Sequence, residues 1–167
     1  MKRFVVDTNV PIVANGRRDP SRGTRDPSPP CRLAAIEFLT AVLKSGRIVL
    51  DVGGDIQAEY RRHLEPRGQP GVGDRFYLEV LNSAPRRIER VDLPKLPDGA
   101  YADFPSDPAL DRFDRSDRKF AALARRERIP VSSATDSDWH DFHVPLKANG
   151  VDVNFVCGTS TKEWFAK

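Results

Sequence analysis

A short apolar run near the start of the chain ends on a carboxylate, and this junction limits what the chain can fold into. The run Phe4–Val6 is followed by Asp7 and then by two small polar residues. A brief apolar stretch with β-branched residues is typical of a strand that is buried on both faces. In parallel α/β sheets, ligands bind in the crevice beyond the carboxyl ends of the strands. The sequence therefore predicts that Asp7 lies at a sheet edge suited to chemistry.

Strand-like and helix-like segments alternate along the rest of the chain. The predicted helices are 33–44, 55–64, 72–82 and one that begins at Ser116, and the predicted strands are 47–51, 87–91, 129–133 and 151–156. This alternation predicts a three-layer α/β/α sandwich with a central, mostly parallel sheet of four to five strands. Right-handed crossovers bring the carboxyl ends of such strands to one edge. Because no repeat or domain-sized linker interrupts the pattern, we expect residues 1–167 to form a single domain.

Two long segments fit neither kind of element. Residues 15–32 are rich in Arg, Pro, Ser and Gly, and residues 92–111 are rich in proline. Irregular connections of this length are uncommon in compact domains and tend to be functional. Clustered arginines suit a polyanion, so we predict that the first segment contacts a nucleic-acid backbone through Arg17, Arg18, Arg22 and Arg25. A solvated loop with ordinary charges is the alternative interpretation.

The composition is that of a globular chain. Charged residues make up 31 % and hydrophobic residues 39 % of the 167 positions. No apolar run approaches the roughly 20 residues that a membrane span requires. The first basic pair is followed by too few apolar residues for a signal peptide. We therefore expect a cytoplasmic protein without a membrane partner, in which Cys31 and Cys157 are reduced and serve as small hydrophobic residues.

Four acidic residues are expected at the same edge of the sheet. Asp7 follows the first strand, Glu59 lies on the helix after the second, and Asp117 begins the helix before the fourth strand. Asp136 follows that fourth strand. Four crowded carboxylates repel one another, and a divalent cation removes the conflict. Oxygen ligands select a hard ion, so the sequence predicts a Mg²⁺ or Mn²⁺ site of the kind that assists phosphodiester hydrolysis.

Each of these carboxylates also has an ordinary structural explanation. Asp7 and Asp136 occupy positions where aspartate commonly forms turns. Asp117 lies in a first helical turn, where the helix dipole favours a negative charge. Glu59 has the spacing of a solvated helix residue, and Glu37 is an alternative to it. We favour Glu59 because it follows a strand end, whereas Glu37 lies within an apolar helix.

Other chemistries have less support in the sequence. His140 and His143 can share a helical face, but without a nearby Cys or third His they do not predict a zinc site. Neither a serine nucleophile elbow nor a lysine-containing phosphate loop is present. Asp51 and Asp114 are close enough in the predicted topology to surround the acidic cluster.

The four acidic positions lie in motifs that resemble those of a known family. The sequences VVDTNV, AEYRR, SDRKFAALA and ATDSDW are similar to the acidic motifs of the PIN-domain nucleases. These metal-dependent ribonucleases include the VapC-type toxins of bacterial toxin–antitoxin modules. The resemblance runs from Asp7 to the final strand. It implies that the four acids bind the metal, that Asp138 is an auxiliary acidic residue, and that Asn9 is the small polar residue beside the first aspartate.

The resemblance also implies an activity and a set of partners. We expect an endoribonuclease that hydrolyses RNA, and as a toxin it would have an antitoxin protein as its partner. PIN-like domains often pair, and the apolar helix Leu33–Leu43 is a suitable face for a homodimer. The alternative is a non-catalytic module of the same fold, which binds nucleic acid or protein and retains a vestigial acidic pocket.

Overall fold

A parallel sheet of five strands runs through the described residues, which are 1–17, 25–67 and 71–167 of this computed structural model. The strands are β1 (Lys2–Val6), β2 (Gly46–Asp51), β3 (Ile88–Val91), β4 (Val131–Ser133) and β5 (Val153–Phe155). Their order across the sheet is β3-β2-β1-β4-β5. The chain therefore leaves the central strand β1 toward one side and later returns to the other. Such a switch in strand order opens a crevice at the carboxyl ends of β1 and β4.

Seven helices flank this sheet within the described ranges and confirm the three-layer α/β/α sandwich. The helices are α1 (Asn9–Ala14), α2 (Pro29–Ser45), α3 (Asp55–His63), α4 (Val72–Asn82), α5 (Arg118–Glu127), α6 (Ser137–Asp141) and α7 (His143–Ala148). None of the helices in these ranges is both long enough and apolar enough to cross a bilayer.

A buried tyrosine connects α3 to the central strand. The ring of Tyr60 lies 5.4 Å from that of Phe76 on α4 and 6.3 Å from that of Phe120 on α5. Its hydroxyl donates a hydrogen bond of 2.5 Å to the carbonyl oxygen of Val6. Because Glu59 precedes this tyrosine, the contact fixes one turn of α3 beside the end of β1.

The segment predicted to be irregular before residue 32 is partly helical. Its last residues belong to α2, which begins at Pro29, where the side chain of Ser28 accepts a hydrogen bond from the Cys31 amide. The residues just before it, Asn9–Ala14, where the sequence predicts no regular element, form α1. Helix α1 packs so closely on α4 that a Cβ atom at Gly73 would clash with the carbonyl oxygen of Pro11. The prediction was wrong here because every residue of α1 is buried, so the helix has no polar face to reveal its period.

The start of α5 also differs from the prediction. The helix begins at Arg118 and not at Ser116, because a 3₁₀ turn over Arg115–Asp117 precedes it. Asp114 caps this turn by accepting a hydrogen bond of 2.8 Å from the Ser116 amide. The turn carries the Asp117 side chain inward, where it is buried.

The two cysteines form a disulfide, so the prediction of two reduced thiols was wrong. Cys31 at the start of α2 is bonded to Cys157 after β5, with a Cα–Cα distance of 4.8 Å. Nearby, the Ser28 amide donates to the Trp164 carbonyl at 2.8 Å, and the Ala166 amide donates to the Asp26 carbonyl at 2.9 Å. The C-terminal tail is thus held against the residues that lead into α2. A sequence separation of 126 residues concealed this pairing.

An anchored hairpin occupies part of the proline-rich segment. Its two sides meet where Lys95 faces Tyr101, and both residues contact Asp55 at the start of α3. The Lys95 ammonium group and the Tyr101 hydroxyl each lie 2.7 Å from the Asp55 carboxylate. The hydrogen bond from Lys95, followed by that from Tyr101, lowers the pKa of Asp55 below its ordinary value of 3.8.

Replacing Asp55 by asparagine is expected to destabilise the protein at neutral pH by at most about 1 kcal/mol, since Lys95 is half exposed to solvent. A lowered folded-state pKa stabilises the fold above the unfolded-state pKa, and this contribution is lost as the pH falls through the folded-state value. The difference in the free energy of unfolding between wild type and variant should therefore shrink below about pH 4. Urea denaturation at neutral pH and at about pH 3 measures it. A difference that persists undiminished in acid would contradict the ionic role of this carboxylate.

Candidate metal centre

A pocket of about 120 Å³ at the carboxyl edge of the sheet brings the four predicted acids together. Asp7 comes from the end of β1, Glu59 from α3, Asp117 from the 3₁₀ turn before α5, and Asp136 from the end of β4. The remaining lining residues are Thr8, Asn9, Ile12, Arg62, His63 and Ser116. Four separate parts of the chain therefore supply carboxylates to a single concave site, as the parallel topology predicts.

Three of the four acids form a compact group. Asp7, Asp117 and Asp136 each contribute an oxygen to a set that lies within 4.8 Å, and their exposed fractions are 2 %, 3 % and 2 %. Two oxygens bound to one Mg²⁺ at about 2.1 Å can be at most about 4.2 Å apart. Small side-chain rotations would bring the group within that limit. The donor set, three buried carboxylates, fits a hard divalent cation.

The first aspartate is held by two hydrogen-bond donors. The indole nitrogen Nε1 of Trp139 and the hydroxyl of Ser133 both donate to Oδ2 of Asp7, each at 3.2 Å. Trp139 is fully buried on α6, and Ser133 ends β4. The Asp7 amide also donates to the Ser132 carbonyl at 2.9 Å. These contacts across the β1–β4 pair fix the orientation of the carboxylate.

Asn9 positions the residues that follow β4, the second strand whose end borders the site. Its side-chain oxygen accepts hydrogen bonds from the amides of Ala134 (3.2 Å) and Thr135 (2.6 Å), and its nitrogen donates to the Thr135 hydroxyl at 2.9 Å. The next residue, Asp136, caps α6 by accepting a hydrogen bond of 2.9 Å from the Asp138 amide. Asn9 therefore fixes the turn that brings Asp136 to the pocket.

Glu59 lines the pocket but is paired with a lysine. One of its oxygens contacts the ammonium group of Lys119, which also contacts the Ser116 carbonyl. Its other oxygen accepts a hydrogen bond of 3.3 Å from the Thr8 hydroxyl. Glu37, the alternative considered for this position, is exposed on α2 and does not line the pocket. The Glu59–Lys119 ion pair thus lies beside the three aspartates.

The surrounding acids divide into two kinds. Asp114, Asp117 and Asp138 form another group whose oxygens lie within 4.8 Å, so Asp138 lies beside the three-aspartate group and shares Asp117 with it. Asp51 instead caps α3, since its two oxygens accept hydrogen bonds of 2.8 and 3.0 Å from the first two amides of that helix. Asp51 therefore has a structural role, whereas the auxiliary role of Asp138 that the PIN resemblance implies stays a prediction.

The negative charge of this edge also acts on Tyr60. Burial raises the pKa of Tyr60 well above its ordinary value of 10.0, and the charges of Asp7, Glu59 and Asp51 raise it further. The hydroxyl therefore stays protonated at neutral pH and keeps its hydrogen bond to the end of β1. A concentrated negative potential of this kind attracts cations.

Two of the four predicted arginines, Arg17 and Arg25, have partners other than the three aspartates. Arg17 forms an ion pair of 3.5 Å with Asp74, a buried residue of α4. The guanidinium group of Arg25 lies over the ring of Phe165, 4.6 Å from its centroid. Arg18 and Arg22 lie outside the described residues. A role for these four arginines in binding nucleic acid stays a prediction, and among residues 1–17, 25–67 and 71–167 the acidic pocket is lined by Arg62.

Sequence reasoning missed the residues that support the acids. A lysine on a helix is most often solvated, so the sequence does not predict that Lys119 is buried, as it is here. Trp139 is a fully buried aromatic residue, and the hydrogen bond from its indole nitrogen to Asp7 has no signature in the sequence. Their positions beside the acidic motifs, two residues after Asp117 and three after Asp136, are the one signal available in the sequence.

The chain was compared with protein-family models, with curated proteins and with solved structures. None of the three comparisons found a match. The likeness to PIN-domain nucleases therefore remains one of short motifs, and the residues of the acidic pocket carry the functional argument.

Proposed function

We propose that the protein is a metal-dependent endoribonuclease, which uses Mg²⁺ or Mn²⁺ in the acidic pocket to hydrolyse RNA phosphodiester bonds. One observation carries the proposal: four carboxylates from distant parts of the sequence line the same pocket of about 120 Å³. Three buried aspartates so close together repel one another, and a divalent cation among them reduces that repulsion. The pocket therefore has the charge and the ligand type for a divalent ion.

Some residues at the pocket would bind the ion, and others orient the residues that bind it. Asp7, Asp117 and Asp136 supply the ligand oxygens, while Trp139 and Asn9 keep the two strand ends in place. A divalent cation bound there supplies positive charge to phosphate oxygens and acidity to a water molecule. No histidine or serine nucleophile is required for hydrolysis of this kind.

RNA as the substrate and the biological setting follow from the PIN resemblance. Arg62 at the pocket is suited to a phosphate, because an arginine can contact the backbone without reading its sequence. As a toxin, the protein would arrest growth on expression and would be neutralised by an antitoxin protein. A homodimer through α2, on which Leu33 is 55 % exposed, stays a prediction.

The non-catalytic module is the second candidate, and a specific contact favours it. Lys119 neutralises Glu59, so at least one of the four acids already has a cationic partner within the protein. If the remaining acids hold no ion, the same surface could bind a partner without cleaving it.

Titration with Mn²⁺ followed by thermal melting distinguishes the two candidates. We expect the ion to raise the melting temperature, since a ligand at 100 times its Kd stabilises the fold by about 2.7 kcal/mol. The Asp117→Asn variant should lose most of this shift because it removes one carboxylate charge from the group. Glu37→Gln, which changes an exposed acid of α2, should keep it. Absence of any shift in the wild-type protein would contradict the enzyme and favour the module.

A further inference from the structure

Another pocket, of about 610 Å³, lies beside the acidic pocket and is formed mainly by residues of the proline-rich segment 92–111. Arg115 and Arg118 line this larger pocket, whereas Ser116 and Asp117 between them line the acidic one. A 3₁₀ turn rises only about 2 Å per residue. A single turn of backbone therefore separates the two pockets, and one strand of nucleic acid could occupy both.

The larger pocket combines aromatic, cationic and acidic side chains. Tyr101 and Phe104 contribute rings to its wall, and the guanidinium group of Arg118 lies 4.7 Å from the centroid of the Phe104 ring. Arg115 is exposed at its edge, as is Asp111. Unpaired bases are bound by stacking on such rings and by hydrogen bonds to their edges, and arginines suit the adjoining phosphates.

The walls of this pocket are fixed before any ligand binds. The Tyr101 hydroxyl donates to Asp55 of α3 at 2.7 Å. The Phe104 ring stacks on the buried Phe113 ring, with centroids 6.0 Å apart and an angle of 18° between the planes. Arg118 donates a hydrogen bond of 3.0 Å to the Asp111 carbonyl. A pocket held in this way loses little conformational entropy when a ligand binds.

We propose that the larger pocket receives an unpaired nucleobase of the RNA, next to the phosphodiester bond that lies in the acidic pocket. The identity of the ligand rests on the proposed function, whereas the aromatic wall and the adjacency of the two pockets do not. Carboxylates at Asp98 and Asp111 accept hydrogen bonds, so bases with amino groups fit this pocket better than uracil. The irregular segment 92–111 thereby becomes the part of the chain that selects the substrate.

The test measures binding of short single-stranded RNAs in which one base at a time is removed and every phosphate is kept. Fluorescence anisotropy is recorded without added metal on the Asp7→Asn protein, so that cleavage does not consume the RNA. Removal of one particular base should weaken binding about tenfold, the size expected for a stacked base. In Phe104→Leu, intact RNA should bind about tenfold more weakly and removal of that base should have no further effect.

Two exposed arginines provide a matched pair that does not disturb the core. Arg115→Gln should weaken RNA binding, whereas Arg112→Gln removes the same charge outside the pocket and should have a smaller effect. If removal of each base left the affinity for RNA unchanged, in a protein that cleaves RNA through its aspartates, the base pocket would be overturned. The proposal of a nuclease would still stand. A base-specific penalty that Phe104→Leu removes, in a protein that never cleaves RNA, would support the base pocket and overturn the nuclease.

Discussion

Replacing Asp7 by asparagine is expected to lower metal-dependent RNA hydrolysis by more than about 100-fold, because a bound cation contributes several kcal/mol to such reactions. The amide has the shape of the carboxylate and keeps one oxygen for the hydrogen bonds from Trp139 and Ser133. The variant should therefore fold normally while it lacks the charge that holds the ion. Cleavage of a labelled single-stranded RNA with Mn²⁺ measures the loss, and a thermal melt without metal verifies the fold.

The control for this variant is Glu37→Gln, which removes a negative charge from the exposed face of α2. It should cleave RNA at the wild-type rate, since Glu37 does not line the acidic pocket. If the Asp7→Asn protein retained full metal-dependent activity, the acidic pocket would not be the catalytic site. If its activity fell only in proportion to a loss of folded protein, Asp7 would have a structural role alone.

The overall architecture could be predicted because the sheet is parallel and buried. Strands such as 47–51 form short apolar runs between amphipathic helices, and helix 72–82 has the bounds that the sequence predicts. Local patterns of this kind depend on which faces are buried, and burial follows from the layer arrangement. The elements that escaped prediction are those for which the surroundings override the local pattern. Helix α1 is one of them, since it is buried on all sides and contains Pro11.

The sequence could predict those features of the acidic pocket that depend only on the order of the strands. Asp7 and Asp136 follow β1 and β4, which are neighbours in the sheet, so their proximity follows from strand order. The partner of Glu59 was not predictable, because Lys119 reaches it from a different helix. Pairing between side chains depends on helix rotation and rotamer, which no pattern in a single sequence specifies. The disulfide escaped for a related reason, since it depends on where the C-terminal tail packs.

Removing that disulfide is expected to lower the free energy of unfolding by about 2–4 kcal/mol. The bond joins Cys31 to Cys157 across 126 residues, so it restricts the unfolded chain over most of its length. Long closed loops of this kind gain the most from a crosslink in the chain-entropy model. Cys157→Ser should therefore unfold at a lower urea concentration than the oxidised wild-type protein, and equilibrium denaturation followed by circular dichroism measures the difference.

A dithiol reductant provides the matched control, because two thiols of the reagent reduce the disulfide to Cys31 and Cys157 thiols without altering the sequence. Reductant should lower the wild-type midpoint toward that of Cys157→Ser and should leave the midpoint of the variant unchanged. An equal midpoint for the oxidised and reduced wild-type protein would mean that the cysteines are not paired in solution. The tail would then be held by its non-covalent contacts, which include the backbone hydrogen bonds to residues 26–28 and the contact of Arg25 with Phe165. Neither residues 26–28 nor residues 164–166 line the acidic pocket, so Mn²⁺ binding should survive reduction even when stability falls.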